Sequence, residues 1–352
     1  MLELLKKLVS IPAACGHEHE ISKFMLEYMK DKVDECYIDG LGNVIVKKQG
    51  KNKGPVLMLS AHADEVGFIV KKIEESGLIR FEKLGGHDDR VILCQQVVVS
   101  TKNGPLTGII GTISCHMMKY DDPNLVRKHS SLYIDIGAKD KAEAIEMGVS
   151  IGDPITWLNE VKPLGKNRIV GHGFDDKAGC ALLAKAIEEI DFNNVCGTVY
   201  GVFSVQEEVG LRGAHTASNQ IQPDIAIAID TTACSDTPEN MMDNTVGLGR
   251  GAGIKVMDFS LISSVSLRKK LQAVAEENNI EYQLEVFPGI GTDAGEMHKA
   301  GSGVPTGVIS IPSRYAHSPN EVIDLGDYEY SKELLKAFIL DMKEGDGYPF
   351  VN

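Results

Sequence analysis

The chain has 352 residues, 43% of them apolar and 24% charged, enough for one large or two medium domains with a sizeable core. Its 36 Lys and Arg stand against 50 Asp and Glu, a formal charge of −14, which excludes a phosphate-tracking surface and an anionic membrane face, so neither nucleic acid nor a membrane is an expected partner. No uncharged stretch approaches the ~20 apolar residues of a membrane helix, and a soluble protein is expected.

The N-terminal run MLELLKKLVSIPAACG ends like a cleavage site, but Glu3, Lys6 and Lys7 interrupt its apolar part, so no export signal is expected and the cytoplasm is the expected location. The seven cysteines, at 15, 36, 94, 115, 180, 196 and 234, form no C-x-x-C pair. Buried free thiols in a reducing compartment are the expectation. Leu2, Leu5 and Leu8, then Ile21, Phe24, Met25, Tyr28 and Met29, fall at helical spacing, so the chain opens with two helices. Strands are predicted at 43–48 and 55–60, the second an almost continuous apolar run of the kind buried on both faces.

From about 65 to 167 short β-rich runs are separated by Gly, Asn and Asp turns, with one helix near 139–147. Strand and helix then alternate: a helix at 176–190, a strand at 197–205, a helix near 211–219, a strand at 224–229, a helix at 264–278, strands at 281–287 and 305–311, and a final helix at 327–344. The implied fold is α/β, a mixed central sheet flanked by helices, formed by residues 1–67 plus 165–352 and interrupted by a small β-rich insertion at 68–164.

In open α/β sheets ligands bind beyond the carboxyl ends of the strands. Those ends carry His62-Ala63-Asp64, Gln206-Glu207-Glu208, Asp230-Thr231-Thr232 and, a few residues on, His317. Asp175-Asp176 stands where a long helix begins. Taken singly, Asp175 or Asp176 reads as a helix N-cap, His62 or His317 as a hydrogen-bonded core or loop histidine, Glu207-Glu208 as a solvated strand end and Asp230 as a turn residue. Their convergence beyond apolar strands changes the reading, because unpaired buried charges are costly and a shared cation would hold them together. Imidazoles and carboxylates without thiolate suit Zn²⁺, Co²⁺ or Mn²⁺ in a catalytic site. A carboxylate bridging two ions ~3.5–4 Å apart would let them share one water, and of two adjacent glutamates one can bind metal while its neighbour takes a proton.

Seven ordered segments, AHADEVGF (61–68), GGHDDRV (85–91), GFDDKAG (173–179), QEEVGLRGA (206–214), AIDTT (228–232), GTDAG (291–295) and YAHSPNE (315–321), resemble the dinuclear metallo-aminopeptidases that include the glutamyl, deblocking and tetrahedral aminopeptidases. The resemblance implies two divalent metal ions per chain, one held by His62, Asp175 and Asp230, the other by Asp175, Glu208 and His317, with Asp175 as the bridge. It further implies Glu207 as the general base acting on the bridging water, and Asp64 as the group that orients His62. Short peptides with a free N-terminus are the implied substrates. The insertion is implied to be a dimerisation domain, with dimers assembling into a hollow dodecamer. Lys177 and His172 read as structural, and Thr292 and Asp293 have no assigned role.

Two rival functions bear on the same residues. A glycoside hydrolase would need paired carboxylates and no metal, which matches an endoglucanase label that relatives of the family have carried but leaves the histidines unexplained. A catalytically silent peptide-binding or assembly scaffold would keep the fold, and the retained Glu207 and ligand set argue against it.

Overall fold

A computed structural model of the chain describes residues 1–351 apart from Asp121, Pro123 and Asn240. Helices α1 (Leu2–Val9) and α2 (His19–Met29) lead into β1 (Glu35–Ile38), β2 (Val44–Gln49) and β3 (Asn52–His62). Next come β4 (Gly67–Ile73), β5 (Ile79–Leu84), β6 (Gln96–Thr101), β7 (Gly104–Gly111), β8 (Tyr133–Asp135), α3 (Lys141–Glu146) and β9 (Pro154–Trp157). The chain then runs through β10 (Lys162–Leu164), β11 (Arg168–Gly171), α4 (Phe174–Glu189), β12 (Cys196–Ser204), α5 (Arg212–Ile221) and β13 (Ile225–Ala233). It ends with β14 (Ala252–Met257), α6 (Val265–Glu277), β15 (Tyr282–Val286), α7 (Ala294–Met297), β16 (Thr306–Arg314), β17 (Glu321–Asp324) and α8 (Leu325–Asp341).

The fold is α/β with a mixed central sheet, in the order β1-β2-β12-β3-β13-β16-β17-β11-β10, to which β14 and β15 attach beside β16. At its centre β12, β3, β13 and β16 are mutually parallel, so their carboxyl ends open on one edge. Side chains alternate across β3: Leu57, Leu59 and Ala61 join the core beneath α1, α4 and α8, while Met58 joins Ala214, Ala217 and Met297 under α5 and α7. A strand covered on both faces accommodates no charge until it leaves the sheet, which is why PVLMLS is uncharged and almost continuously apolar.

Strands β4, β5, β8, β7, β6 and β9 close into a separate barrel around Phe68, Phe81, Val97, Ile134 and Trp157. Phe68 packs edge-on against Trp157 with ring centroids 5.0 Å apart. Strand β10 lies inside the span predicted for the insertion, yet it pairs with β11 in the large sheet.

Among the elements with no counterpart in the predicted ones, four have a local reason. Strand β1 is a half-exposed edge without apolar alternation, and β17 and α7 have four residues each. Strand β14 is interrupted in sequence by Lys255, which is buried 3.1 Å from Glu285 of the neighbouring β15. Strand β13 was expected to stop before Asp230 but continues to Ala233, because Asp230, Thr231 and Thr232 pair with Ser310, Ile311 and Pro312 of β16. The thiols correct another expectation: all seven are free, but only Cys15, Cys180 and Cys234 are buried, whereas Cys94 and Cys115 are exposed. No helix among the described residues is long and apolar enough to cross a membrane.

Candidate metal centre

Parallel pairing of β3 with β12 sets Ser204 beside His62, so the chain leaving β12 carries Glu207 and Glu208 over the end of β3. Asp230 reaches the same edge from β13, Asp175 arrives at the start of α4, and His317 follows β16. The five residues expected to bind metal, with Glu207, therefore meet in one place. His62 Nε2 lies 3.1 Å from Asp175 Oδ1, 3.8 Å from Asp230 Oδ1 and 3.9 Å from Glu207 Oε2. His317 Nε2 lies 3.1 Å from Glu208 Oε1 and 3.4 Å from Asp175 Oδ2. Asp175 thus turns one oxygen towards each imidazole. Donor atoms of His62, Asp175 and Asp230 fall within 4.8 Å of one another, as do those of Asp175, Glu208 and His317. His62, Glu207 and Glu208 form a third such group.

The electrostatics of the cluster call for cations. Burial pushes Asp230 well above the ordinary carboxylate range, with the Asp175 carboxylate adding to it. Burial raises Glu207 in the same way, against the opposing pull of His62 and with further help from Asp230. Although burial opposes it, hydrogen bonds from His317 and His62 hold Asp175 below its usual range. Burial also opposes protonation of His317, yet the Glu208 and Asp175 carboxylates raise it to about 12. The imidazoles thus keep protons that supply the positive charge the acids need, and divalent cations would supply it better. Glu208 Oε1 is buried and faces His317 Nε2 at 3.1 Å without a well-formed hydrogen bond, a pairing that a cation held by both would replace. The donor set fits two divalent cations sharing Asp175.

Surrounding groups fix these side chains. The Asp64 carbonyl lies 3.0 Å from His62 Nδ1. A carbonyl can only accept, so Nδ1 carries the proton and Nε2 faces the cluster. The Asp64 carboxylate is farther from that nitrogen, at 3.5 Å, and instead accepts the backbone N–H groups of Glu207 and Glu208 at 3.0 and 3.3 Å. Asp64 thereby ties the Glu207–Glu208 segment to the end of β3. Of the pair at the start of α4, Asp176 does the capping: its Oδ1 accepts the Gly179 N–H at 3.0 Å, leaving Asp175 to face the cluster. A Cβ at position 179 would sit 2.3 Å from Asp176 Oδ2, so the close approach requires glycine.

Glu321, which sequence reasoning did not single out, supports both halves of the site. Its two oxygens accept the backbone N–H groups of Asp175 and His317, each at 3.0 Å. His317 has φ +60°, a left-handed conformation that costs a residue with a Cβ roughly 1–3 kcal/mol and persists only where its surroundings enforce it. Glu321 is part of that enforcement. The signal was its place in YAHSPNE, four residues after a candidate ligand.

Asp293 and Thr292 acquire roles beneath the site. Asp293 Oδ2 accepts the Ser60 and Ser204 hydroxyls, each at 2.5 Å, joining β3 to β12 just before their functional ends. The Thr292 hydroxyl donates to Asp258 at 3.1 Å. Lys177 donates to Glu65 at 2.7 Å and to the Ile11 carbonyl at 2.9 Å, and His172 Nε2 lies 3.3 Å from Glu65. Lys177 thereby ties the start of α4 to the N-terminal segment.

The cluster forms one wall of a cleft of about 1080 Å³ whose other walls include Leu211, Phe259, Phe287 and Ile290. A salt bridge of 2.8 Å between Lys299 and Glu296 also borders it.

Residues 42–334 match the model of the M42 glutamyl aminopeptidase family. The lysyl aminopeptidase of Pyrococcus furiosus is 33% identical over 350 residues, covering 99% of both chains. Among solved structures, an aminopeptidase from the archaeon Desulfurococcus kamchatkensis superposes with a TM-score of 0.92 at 39% identity, covering 99% of this chain and 96% of that one. The TET1 peptidase of Pyrococcus horikoshii, which can assemble into a tetrahedron or a large octahedral shell, does so with a TM-score of 0.87 at 35% identity over 97% and 99%. A match of this extent, over a chain that carries the cluster intact, has one reading: the protein belongs to the M42 glutamyl aminopeptidase family.

Proposed function

We propose that the cluster hydrolyses the peptide bond after the N-terminal residue of short peptides, as a dinuclear metallo-aminopeptidase. The observation that carries this reading is the placement of Asp175, whose two oxygens face two separate imidazoles, His62 and His317, 3.1 and 3.4 Å away. His62, Asp175 and Asp230 would hold one ion, and Asp175, Glu208 and His317 the other. Zn²⁺, Co²⁺ and Mn²⁺ all suit these donors. When bound, such ions polarise a carbonyl and acidify a water.

The chain's own groups supply the rest. Glu207 is buried beside His62 and borders the cleft, so it can take the proton of the attacking water and pass it to the leaving amine. Asp64 holds Glu207 in place through its backbone N–H. Leu211, Phe259 and Ile290 give the cleft an apolar wall beside the reacting groups.

The same proposal divides the chain into a catalytic domain and a dimerisation barrel, with dimers assembling into a dodecamer that admits peptides and excludes folded proteins. Support comes from the assembly of the TET1 relative and from exposed apolar residues on the barrel, Ile109, Ile145 and Ile151. Seven free thiols support a reducing, cytoplasmic setting.

The test is a panel of aminoacyl-p-nitroanilides, free and N-acetylated, assayed before chelation, after it, and after return of Zn²⁺, Co²⁺ or Mn²⁺. Cleavage confined to free substrates, abolished by chelator and restored by metal, is expected. Activity that survives complete metal removal, or equal cleavage of acetylated substrates, would overturn the proposal.

A further inference from the structure

The turn Gly85-Gly86-His87, in the loop between β5 and β6 of the barrel, lies against the metal centre of the other domain. The Gly86 carbonyl is 2.9 Å from His317 Nδ1. As at His62, a carbonyl partner obliges Nδ1 to carry the proton and leaves Nε2 facing Glu208 and Asp175. A Cβ on Gly86 would sit 3.4 Å from His317 Nδ1, an ordinary van der Waals contact. Gly85, at φ +79°, packs on the site from the same side: a Cβ there would come 2.7 Å from Val66 and 3.3 Å from the Glu208 side chain.

His87 anchors the turn to the barrel. Its ring stacks on Phe68 with centroids 4.5 Å apart and meets Trp157 edge-on at 5.6 Å. Nε2 lies 2.8 Å from the Gly67 carbonyl, and the His87 carbonyl accepts from Lys83 Nζ at 3.0 Å. Phe68 and Trp157 belong to the barrel core, so the position of the Gly86 carbonyl is set by the packing of the barrel. His62 has its own anchor within the catalytic domain, at Asp64. The two histidines therefore depend on different domains.

We propose that the barrel completes the active site: His87, a positioning residue, holds the Gly86 carbonyl on His317, so the metal site of Asp175, Glu208 and His317 forms only when the barrel turn is docked. This rests on the dinuclear reading above. It predicts unequal damage when the turn is disturbed. Losing an outer partner of a metal-bound histidine typically weakens metal binding about 10–100-fold, and here the loss falls on one site of two.

The experiment is calorimetric titration of the metal-free full-length protein with Co²⁺, read also by the visible spectrum and by metal content after dialysis, for wild type, His87→Ala, His87→Phe and Gly85→Ala. Wild type binds two ions; if it does not, the dinuclear reading itself fails and the inference with it. In His87→Ala and Gly85→Ala one ion is expected to bind about 10–100-fold more weakly while the other keeps its wild-type affinity. His87→Phe retains the stack on Phe68 and Trp157 and is expected to recover most of the affinity, which also keeps the test sound if His87→Ala does not fold. Wild-type binding of both ions in Gly85→Ala and, where it folds, in His87→Ala, or equal weakening of both ions in either variant, would overturn the inference while leaving the dinuclear reading standing.

Discussion

Glu207→Gln lowers kcat by about 10²–10⁴-fold, the usual contribution of a positioned general base, while the protein still binds two metal ions. The substitution keeps the size and the backbone of Glu207, so the N–H contact to Asp64 at 3.0 Å survives. What disappears is the ability to accept a proton from water and return it to the leaving amine. Glu207 Oε2 stands 3.9 Å from His62 Nε2 and belongs to neither donor group built on Asp175, so metal content is expected to persist. Steady-state kinetics on a free aminoacyl-p-nitroanilide, beside metal analysis of the same preparation, checks both halves. Unchanged kcat with two ions bound would remove Glu207 from its role and favour another base. A loss of metal in step with activity would make Glu207 a ligand instead.

Asp175→Asn has a different signature: both ions are lost together and activity falls below detection. Asp175 is the one residue common to the two groups of donors on either side of it. Removing its charge takes away the partner of His62 at 3.1 Å and of His317 at 3.4 Å in one step. Asparagine is nearly isosteric and still offers its backbone N–H to Glu321, so the effect reports the carboxylate more than the loop. Asp230→Asn is the control, because Asp230 belongs to the His62 group alone and its substitution weakens one ion. Retention of one tightly held ion in Asp175→Asn would show that the two sites do not share this carboxylate.

The parts of this site that are legible in the sequence are those that contradict their surroundings. His62 ends a strand buried on both faces, Asp230 stands near the end of another and His317 follows a third, places where a charge is costly unless something holds it. Their order along a parallel sheet brings them to one edge, a consequence of topology that apolar runs alternating with helices already announce. Asp175 is harder to read, because two adjacent aspartates at a helix start have an ordinary explanation in capping. The structure separates them: Asp176 caps, and Asp175 faces the imidazoles.

The remainder depends on contacts between distant segments. Glu321 sits on a four-residue strand that no periodicity reveals, and its function is to accept backbone N–H groups 146 and 4 residues away. Gly86 acts through a carbonyl, which every residue possesses, so nothing in its side chain signals the contact with His317. Lys255 hides β14 by placing a charge in a buried strand whose compensating acid, Glu285, comes from the next strand. Closure of the barrel likewise follows from the pairing of β4 with β9 across 85 to 87 residues of chain, which short alternating runs do not specify.

The most direct measurement is anomalous diffraction at the absorption edge of Zn²⁺ or Co²⁺ from crystals of the metal-loaded protein. The account predicts two peaks roughly 3.5–4 Å apart, one among His62, Asp175 and Asp230 and the other among Asp175, Glu208 and His317. A single peak, or two peaks that do not share Asp175, would contradict it.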